Sequence, residues 1–160
     1  MRRQDLDAVY AGPLMAVYAA LCRTISFRRW SPIACLRAEG IPAQGEAYLY
    51  QSGTVRRTGR IVEVMRPVGI TLKEVLHDPP CRVSLTLRWR IDPLARGCRV
   101  RLGASYRLNH AAVLRAAHWD RRLEQHFRRQ LTFIAVNLER LQDAEKARIP
   151  LTAKRDLSHP

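Results

Sequence analysis

Residues 81–109, CRVSLTLRWRIDPLARGCRVRLGASYRLN, alternate apolar and polar side chains on both sides of a turn, and that pattern constrains the fold more than any other in the chain. Period-two alternation puts one set of side chains on one face of a strand and the other set on the opposite face, so the pair reads as a half-buried β-hairpin. Placing the loop at Pro93 to Arg96 faces Asp92 with Gly97. The apolar pairs are then Ile91 with Cys98, Trp89 with Val100, Leu87 with Leu102, Leu85 with Ala104 and Val83 with Tyr106. The other face pairs Arg90 with Arg99, Arg88 with Arg101 and Arg82 with Arg107. Like charges directly opposite one another destabilise a sheet by roughly 0.2–1 kcal/mol per pair. Something is therefore expected to offset them: nearby acids such as Glu63 or Glu74, a second subunit in a homodimer, or an anionic partner.

At His110 the period changes from two to about 3.6. Leu123, Phe127, Leu131, Ile134, Leu138 and Leu141 fall on one stripe, with Arg115, His118, Arg122, Gln125 and Arg129 on the other side. This predicts one long C-terminal helix to about Lys146. Upstream, Asp5 to Ala11 suits a short strand, and Gly12-Pro13 introduces LMAVYAALCRT, a buried helix. Pro32 stops any helix begun near Ser26. IACLRA, EAYLYQ, RRTGRIVEVMR and GITLKEVLH read as strands, separated by the glycines and prolines between them. The expectation is an α+β domain spanning residues 1–148, with 149–160 a flexible tail.

The 160 residues suffice for one core. No apolar run approaches the roughly 20 residues needed to cross a bilayer, and Asp5 and Asp7 interrupt the N-terminus before any secretion-signal core develops. A cytoplasmic protein without a membrane span is expected. Cys22, Cys35, Cys81 and Cys98 show neither a CxxC pair nor histidines at ligand spacing, so buried free thiols are expected and no metal. The formal charge of +14 makes nucleic acid or an acidic protein the alternative partner, through Arg82, Arg88, Arg90, Arg99, Arg101 and Arg107. Only three of the 28 basic residues are lysine, however, as an arginine-biased genome would also produce. Ser84, Thr86, Gly103 and Ser105 lie between those arginines where a single-strand binder would place aromatic rings.

Three segments, VYAALCRTISFRRWSP, RIVEVMRPVGITLKEV and RRQLTFIAVNLERLQ, carry a resemblance to the START-like, or SRPBCC, superfamily, which includes polyketide cyclases, aromatases and lipid-transfer domains. The first resembles that superfamily's helix followed by a Trp-x-Pro step, the second its central strand pair, the third its terminal helix. The order of elements extends the resemblance over nearly the whole chain. It implies a helix-grip fold: a curved antiparallel sheet of six to seven strands wrapped around the C-terminal helix, with short helices after the first strand and an elongated apolar cavity between sheet and helix. The implied ligand is a hydrophobic small molecule, lipid or polyketide-like, held without a cofactor. The implied chemistry, for an enzyme, is cyclisation or dehydration.

Small side chains leave room and bulky ones close it. Ala111, Ala112, Ala116 and Ala117 open the helix, so the cavity is expected under its first turns. Its expected walls are Trp30, Leu87, Trp89, Val100, Leu102 and Tyr106 together with Ala116, Ala117 and Asp120. The competing expectation is that the alanines pack against Trp30 or Trp119. Asp120 falls in phase with Ala117, Leu123 and Phe127. It either points into the cavity or turns out to pair with Arg121 or an arginine of the sheet. Asp120 and Tyr106 are the catalytic candidates, as acid/base and orienting groups; Tyr48 and Tyr50 are further hydroxyls of the same kind. Glu74 depends on register. Pairing His77 with Cys81 puts it on the arginine side as a surface ion pair, and a slip of one residue puts it inside. His110, His118 and His126 recur every eight residues, about 80° apart per step on a helix, and are expected in surface or capping roles. No nucleophile triad and no phosphate loop is present.

Overall fold

The computed structural model describes residues 1–26 and 43–148. Six strands, β1 (Arg2–Tyr10), β2 (Ala47–Ser52), β3 (Val55–Met65), β4 (Gly69–Asp78), β5 (Cys81–Pro93) and β6 (Cys98–Leu108), form one sheet in the order β1-β6-β5-β4-β3-β2. Every neighbouring pair is antiparallel. Helix α1 (Leu14–Ser26) follows β1, and α2 (His110–Val113) and α3 (Ala116–Arg148) follow β6. This is the expected α+β architecture with a long C-terminal helix. Trp30, Cys35, the IACLRA segment and the tail 149–160 lie outside the described residues. Strand β1 begins three residues earlier than its apolar pattern suggests, because its first inward positions are Arg2 and Gln4.

The β5–β6 hairpin keeps its two expected faces but not its expected register. Its loop is Leu94 to Gly97, closed by Leu94 N–H to Gly97 O at 2.9 Å, and Pro93 faces Cys98. Gly97 has φ +92°, and a Cβ there would overlap the Tyr10 carbonyl, which is why glycine ends the loop. The shift is two residues: Ile91 faces Val100, Trp89 faces Leu102, Leu87 faces Ala104 and Leu85 faces Tyr106. A shift of two preserves the faces, whereas a shift of one would exchange them. It does change the charge pairing. Arg90 faces Arg101, but Arg88 faces Gly103, Arg107 faces Ser84 and Arg99 faces Asp92. None of the three expected arginine pairs forms; in the different pair that does, Arg90 with Arg101, Arg101 is offset by Asp92 at 2.6 Å.

The inner face buries Val83, Leu85, Leu87, Trp89, Ile91, Val100, Leu102, Ala104 and Tyr106 against the stripe Trp119, Leu123, Phe127, Ile134 and Leu138 of α3. Helix α1 packs on α3, where Asn137 Nδ2 donates to Thr24 Oγ1 at 3.0 Å, and Tyr10 donates its hydroxyl to Leu131 O at 2.6 Å. Cys22, Cys81 and Cys98 are buried free thiols. Among the described residues no helix is long and apolar enough to cross a membrane.

The terminal helix is not continuous from His110. It breaks at Leu114–Arg115, and that break resets the phase. Ala112 is buried, but Ala116 is only half-buried and Ala117 is exposed. Trp119, not the alanines, faces inward at the first turn of α3. Asn109 anchors the start of α2: its Oδ1 accepts from Ala112 N and Arg82 N, and its Nδ2 donates to Pro80 O, each at 3.0 Å. One side chain thus caps α2 and holds the β4–β5 turn. Asn109→Ala is expected to cost about 1–3 kcal/mol in urea unfolding; a loss below about 0.5 kcal/mol, the range of ordinary surface substitutions, would show that the anchor does not hold the corner.

Candidate functional site

One register row crosses the inner face of all six strands. Arg2 faces Tyr106, Tyr106 faces Leu85, Leu85 faces Glu74, Glu74 faces Gly59 and Gly59 faces Tyr48. Every other inner row is apolar at its centre; this one carries a polar group on both sides of Leu85. It gathers residues from the first strand to the last under the start of α3, and it decides the facing of Glu74. Asp78 pairs directly with Cys81 and His77 with Arg82, one residue away from the expected register. The turn therefore holds two residues, Pro79 and Pro80, and Glu74 points inside. The surface ion pair expected for it is replaced by a side chain in a residue only 3% exposed.

Glu74 is the hub of the β2–β4 side. Tyr48 donates its hydroxyl to Glu74 Oε1 at 2.5 Å, and Arg57 Nη1 lies 3.7 Å from Oε2. The same Nη1 lies 2.9 Å from His126 Nε2 on α3. Guanidinium can only donate, so Nε2 accepts and the neutral ring carries its proton on Nδ1. Burial, reinforced by Arg57, Arg129 and Arg122, brings the His126 pKa down to about 3. Burial and the neighbouring Glu74 hold the Tyr48 hydroxyl far above the usual phenol range. Gly59 is the floor of this group: a Cβ there would overlap the Tyr48 ring, so only glycine lets the ring lie flat across β3 toward Glu74.

On the β1 side Asp120 forms an ion pair with Arg2 and accepts the Tyr106 hydroxyl at 2.5 Å. Gln4 Nε2 donates to Asp120 O at 2.8 Å and to the Tyr106 oxygen at 3.2 Å. Of the two orientations open to Asp120, it takes the pairing with an arginine of the sheet. Its hydrogen bond to Arg2 outweighs partial burial and holds its carboxyl below the usual range. Burial, with Asp120 beside it, pushes Tyr106 up to about 12. The shared phase expected of Asp120 and Ala117 fails, because Trp119 leads the inner stripe and Asp120 sits at its border.

Leu87, Trp89, Val100, Leu102 and Tyr106 all lie on the inner face and are buried. Arg82, Arg88, Arg90, Arg99, Arg101 and Arg107 lie on the opposite face. Inside, the Glu74 Oε2, the indole N–H groups of Trp89 and Trp119 and the Gln130 Oε1 have no hydrogen-bond partner among the described residues. Buried polar atoms in native proteins are nearly all hydrogen-bonded, so each such atom asks for a partner. No cluster among the described residues could hold a metal ion.

Arg57 and His126 entered no sequence-based site. The signal for Arg57 was its alternation with Gly59 and Ile61, an inward position in RRTGRIVEVMR. His126 stands three residues after Leu123, close to the apolar stripe rather than across from it.

No family model and no curated protein matches the chain. Solved structures do share its fold. A protein from Rhizobium leguminosarum superposes with a TM-score of 0.63 at 14% identity, over 87% of this chain and 95% of its own. DynU16, a protein in the dynemicin biosynthetic locus, gives a TM-score of 0.59 at 12% identity over 86% of this chain, which spans 47% of DynU16. The Aha1 dimer from Colwellia psychrerythraea gives 0.56 at 11% identity, over 87% and 97%. The sheet gripping a long terminal helix is thus a shared fold, and its neighbours include a biosynthetic-locus protein and a dimer.

Two measurements test the cluster. Arg57→Met leaves Glu74 buried without its cation and is expected to cost about 3–5 kcal/mol, whereas Arg57→Met with Glu74→Leu should recover most of that loss. A double variant no more stable than the single one would show that the two charges do not answer each other. Because the folded pKa of His126 lies below the unfolded value of 6.5, the unfolded chain binds the extra proton. Stability is then fully present above pH 6.5 and is lost as pH falls toward 3. The urea midpoint should fall between pH 7 and pH 5, and His126→Asn should flatten that fall.

Proposed function

We propose that this protein binds a hydrophobic small molecule, lipid or polyketide-like, between the inner face of the sheet and α3, and that it is a member of the START-like superfamily its sequence resembles. One observation carries this reading. Polar atoms in a largely apolar interior, Glu74 Oε2 and the indole N–H groups of Trp89 and Trp119, lack a hydrogen-bond partner among the described residues. Ligand pockets are apolar concavities with a few convergent polar groups, and these are groups of that kind. The carboxylate accepts a hydroxyl hydrogen and the indoles donate to carbonyl or ether oxygens. The fitting ligand is a hydroxylated, oxygen-bearing apolar molecule. The place of DynU16 in a biosynthetic locus supports the polyketide side of this reading.

A cyclase- or dehydratase-like step needs a base beside the carbon acid and a donor near the departing oxygen. Glu74, with Tyr48 hydrogen-bonded to it, suits the first role better than Asp120, whose carboxyl is engaged by Arg2 and Tyr106. Native mass spectrometry of freshly purified protein is expected to show a co-purifying apolar compound. A ligand-free spectrum together with an experimental structure whose interior is filled by side chains would overturn binding. Tryptophan fluorescence titration with a hydroxylated polycyclic ketone provides the second arm. Glu74→Gln should weaken its binding about tenfold, the loss of one charge-assisted hydrogen bond. The same ketone lacking hydroxyls should bind both proteins alike.

A further inference from the structure

The outer face of the sheet carries a feature separate from the interior. A groove of about 660 Å³ runs across β3 to β6, lined by the cations Arg60, Lys73 and Arg107 and by the hydroxyls of Thr58, Thr86 and Ser105. Arg60 and Lys73 face each other directly across β3 and β4, the like-charge arrangement that costs a sheet stability unless something offsets it. Part of this face is answered: Arg3 pairs with Asp5, Arg99 with Asp7 and Arg101 with Asp92, while Arg82 and Arg88 form no ion pair among the described residues but do not face another cation directly. In the groove, all three cations are exposed and none forms an ion pair among the described residues. Glu74, whose backbone lines the groove, turns its side chain through to the interior.

We propose that this groove is a docking site for an extended acidic peptide segment of a partner protein. Charge complementarity selects an anion. Among the described residues the groove offers no outward Phe, Tyr or Trp side chain on which bases would stack, which disfavours single-stranded nucleic acid. Lys73 and Arg107 stand two strands apart and two residues out of row, about 12 Å, and acidic side chains four residues apart, which share one face of an extended chain, span a similar distance, roughly 13 Å. Threonine and serine hydroxyls between the cations suit the main-chain N–H and C=O groups of such a segment.

The probe is a fluorescein-labelled peptide with glutamates at every fourth position, titrated by fluorescence anisotropy with the full chain. The triple variant Arg60→Gln, Lys73→Gln, Arg107→Gln should lose at least about tenfold in affinity, or 1.4 kcal/mol. The charge-matched control Arg82→Gln, Arg88→Gln, Arg115→Gln, outside the groove, should lose no more than about threefold, the general effect of a smaller field. Urea midpoints matching the parent show that both variants fold. Equal losses in the two variants would overturn the proposal in favour of diffuse charge. An oligothymidylate of the same charge that binds more tightly, with the same dependence on Arg60, Lys73 and Arg107, would overturn the peptide as occupant. A parent protein that gives no saturable peptide binding would overturn it outright.

Discussion

The contact between the inner face of the β5–β6 hairpin and the Trp119 to Leu138 stripe of α3 is the interaction on which the rest of the molecule depends. It removes the largest side chains from water, Trp89, Trp119 and Phe127 among them. Burying an apolar side chain of this size is worth about 1.5–3 kcal/mol. With that contact in place, the orientation of α3 over the sheet is settled. Asp120 then falls over Arg2 and Tyr106, and His126 over Arg57. The polar interior exists because an apolar contact holds its two sides together.

That polar interior is costly in itself. Buried ion pairs are weak sources of stability, since desolvation offsets most of the attraction. Tyr48, Arg57, Glu74 and His126 nevertheless converge from three strands and the helix, with Gly59 kept bare for the Tyr48 ring. Such an arrangement is hard to account for as packing alone, and its Tyr48 and Glu74 share a register row with Arg2 and Tyr106, the partners of Asp120. Two clusters of opposite make-up flank Leu85: one built around a carboxylate satisfied by Arg2 and Tyr106, the other around a carboxylate with one oxygen still without a hydrogen bond.

The chain's charge has a similar division. The arginine pairs that alternation predicted across the hairpin are largely dispersed by the two-residue shift in register, with Arg99 and Arg101 both near aspartates. The like-charge contact that remains unanswered is Arg60 with Lys73, in strands whose weaker alternation drew no attention to it. The net charge of +14 is therefore not spread evenly in its consequences. Ion pairs quiet the outer face around Asp5, Asp7 and Asp92 and leave the rest of it basic.

The α+β class, the antiparallel order, the position of α1 and the inner and outer faces of β5 and β6 were legible in the sequence. Side-chain periodicity is a local property, and burial of one face follows from it whatever the neighbours are. The helix break at Leu114 was hidden, as was the reach of Asn109, the cap of α2, back to the β4–β5 turn. The inward turn of Glu74 depended on whether that turn holds two residues or three, a difference that no periodicity records. His126 looked like one of three evenly spaced surface histidines until α3 was laid against β3. The sequence by itself determined which strands and helices have an apolar side. Only the tertiary structure decided which polar residues share the interior, because that choice rests on register, and register is set by turns and long-range packing rather than by the residues it positions.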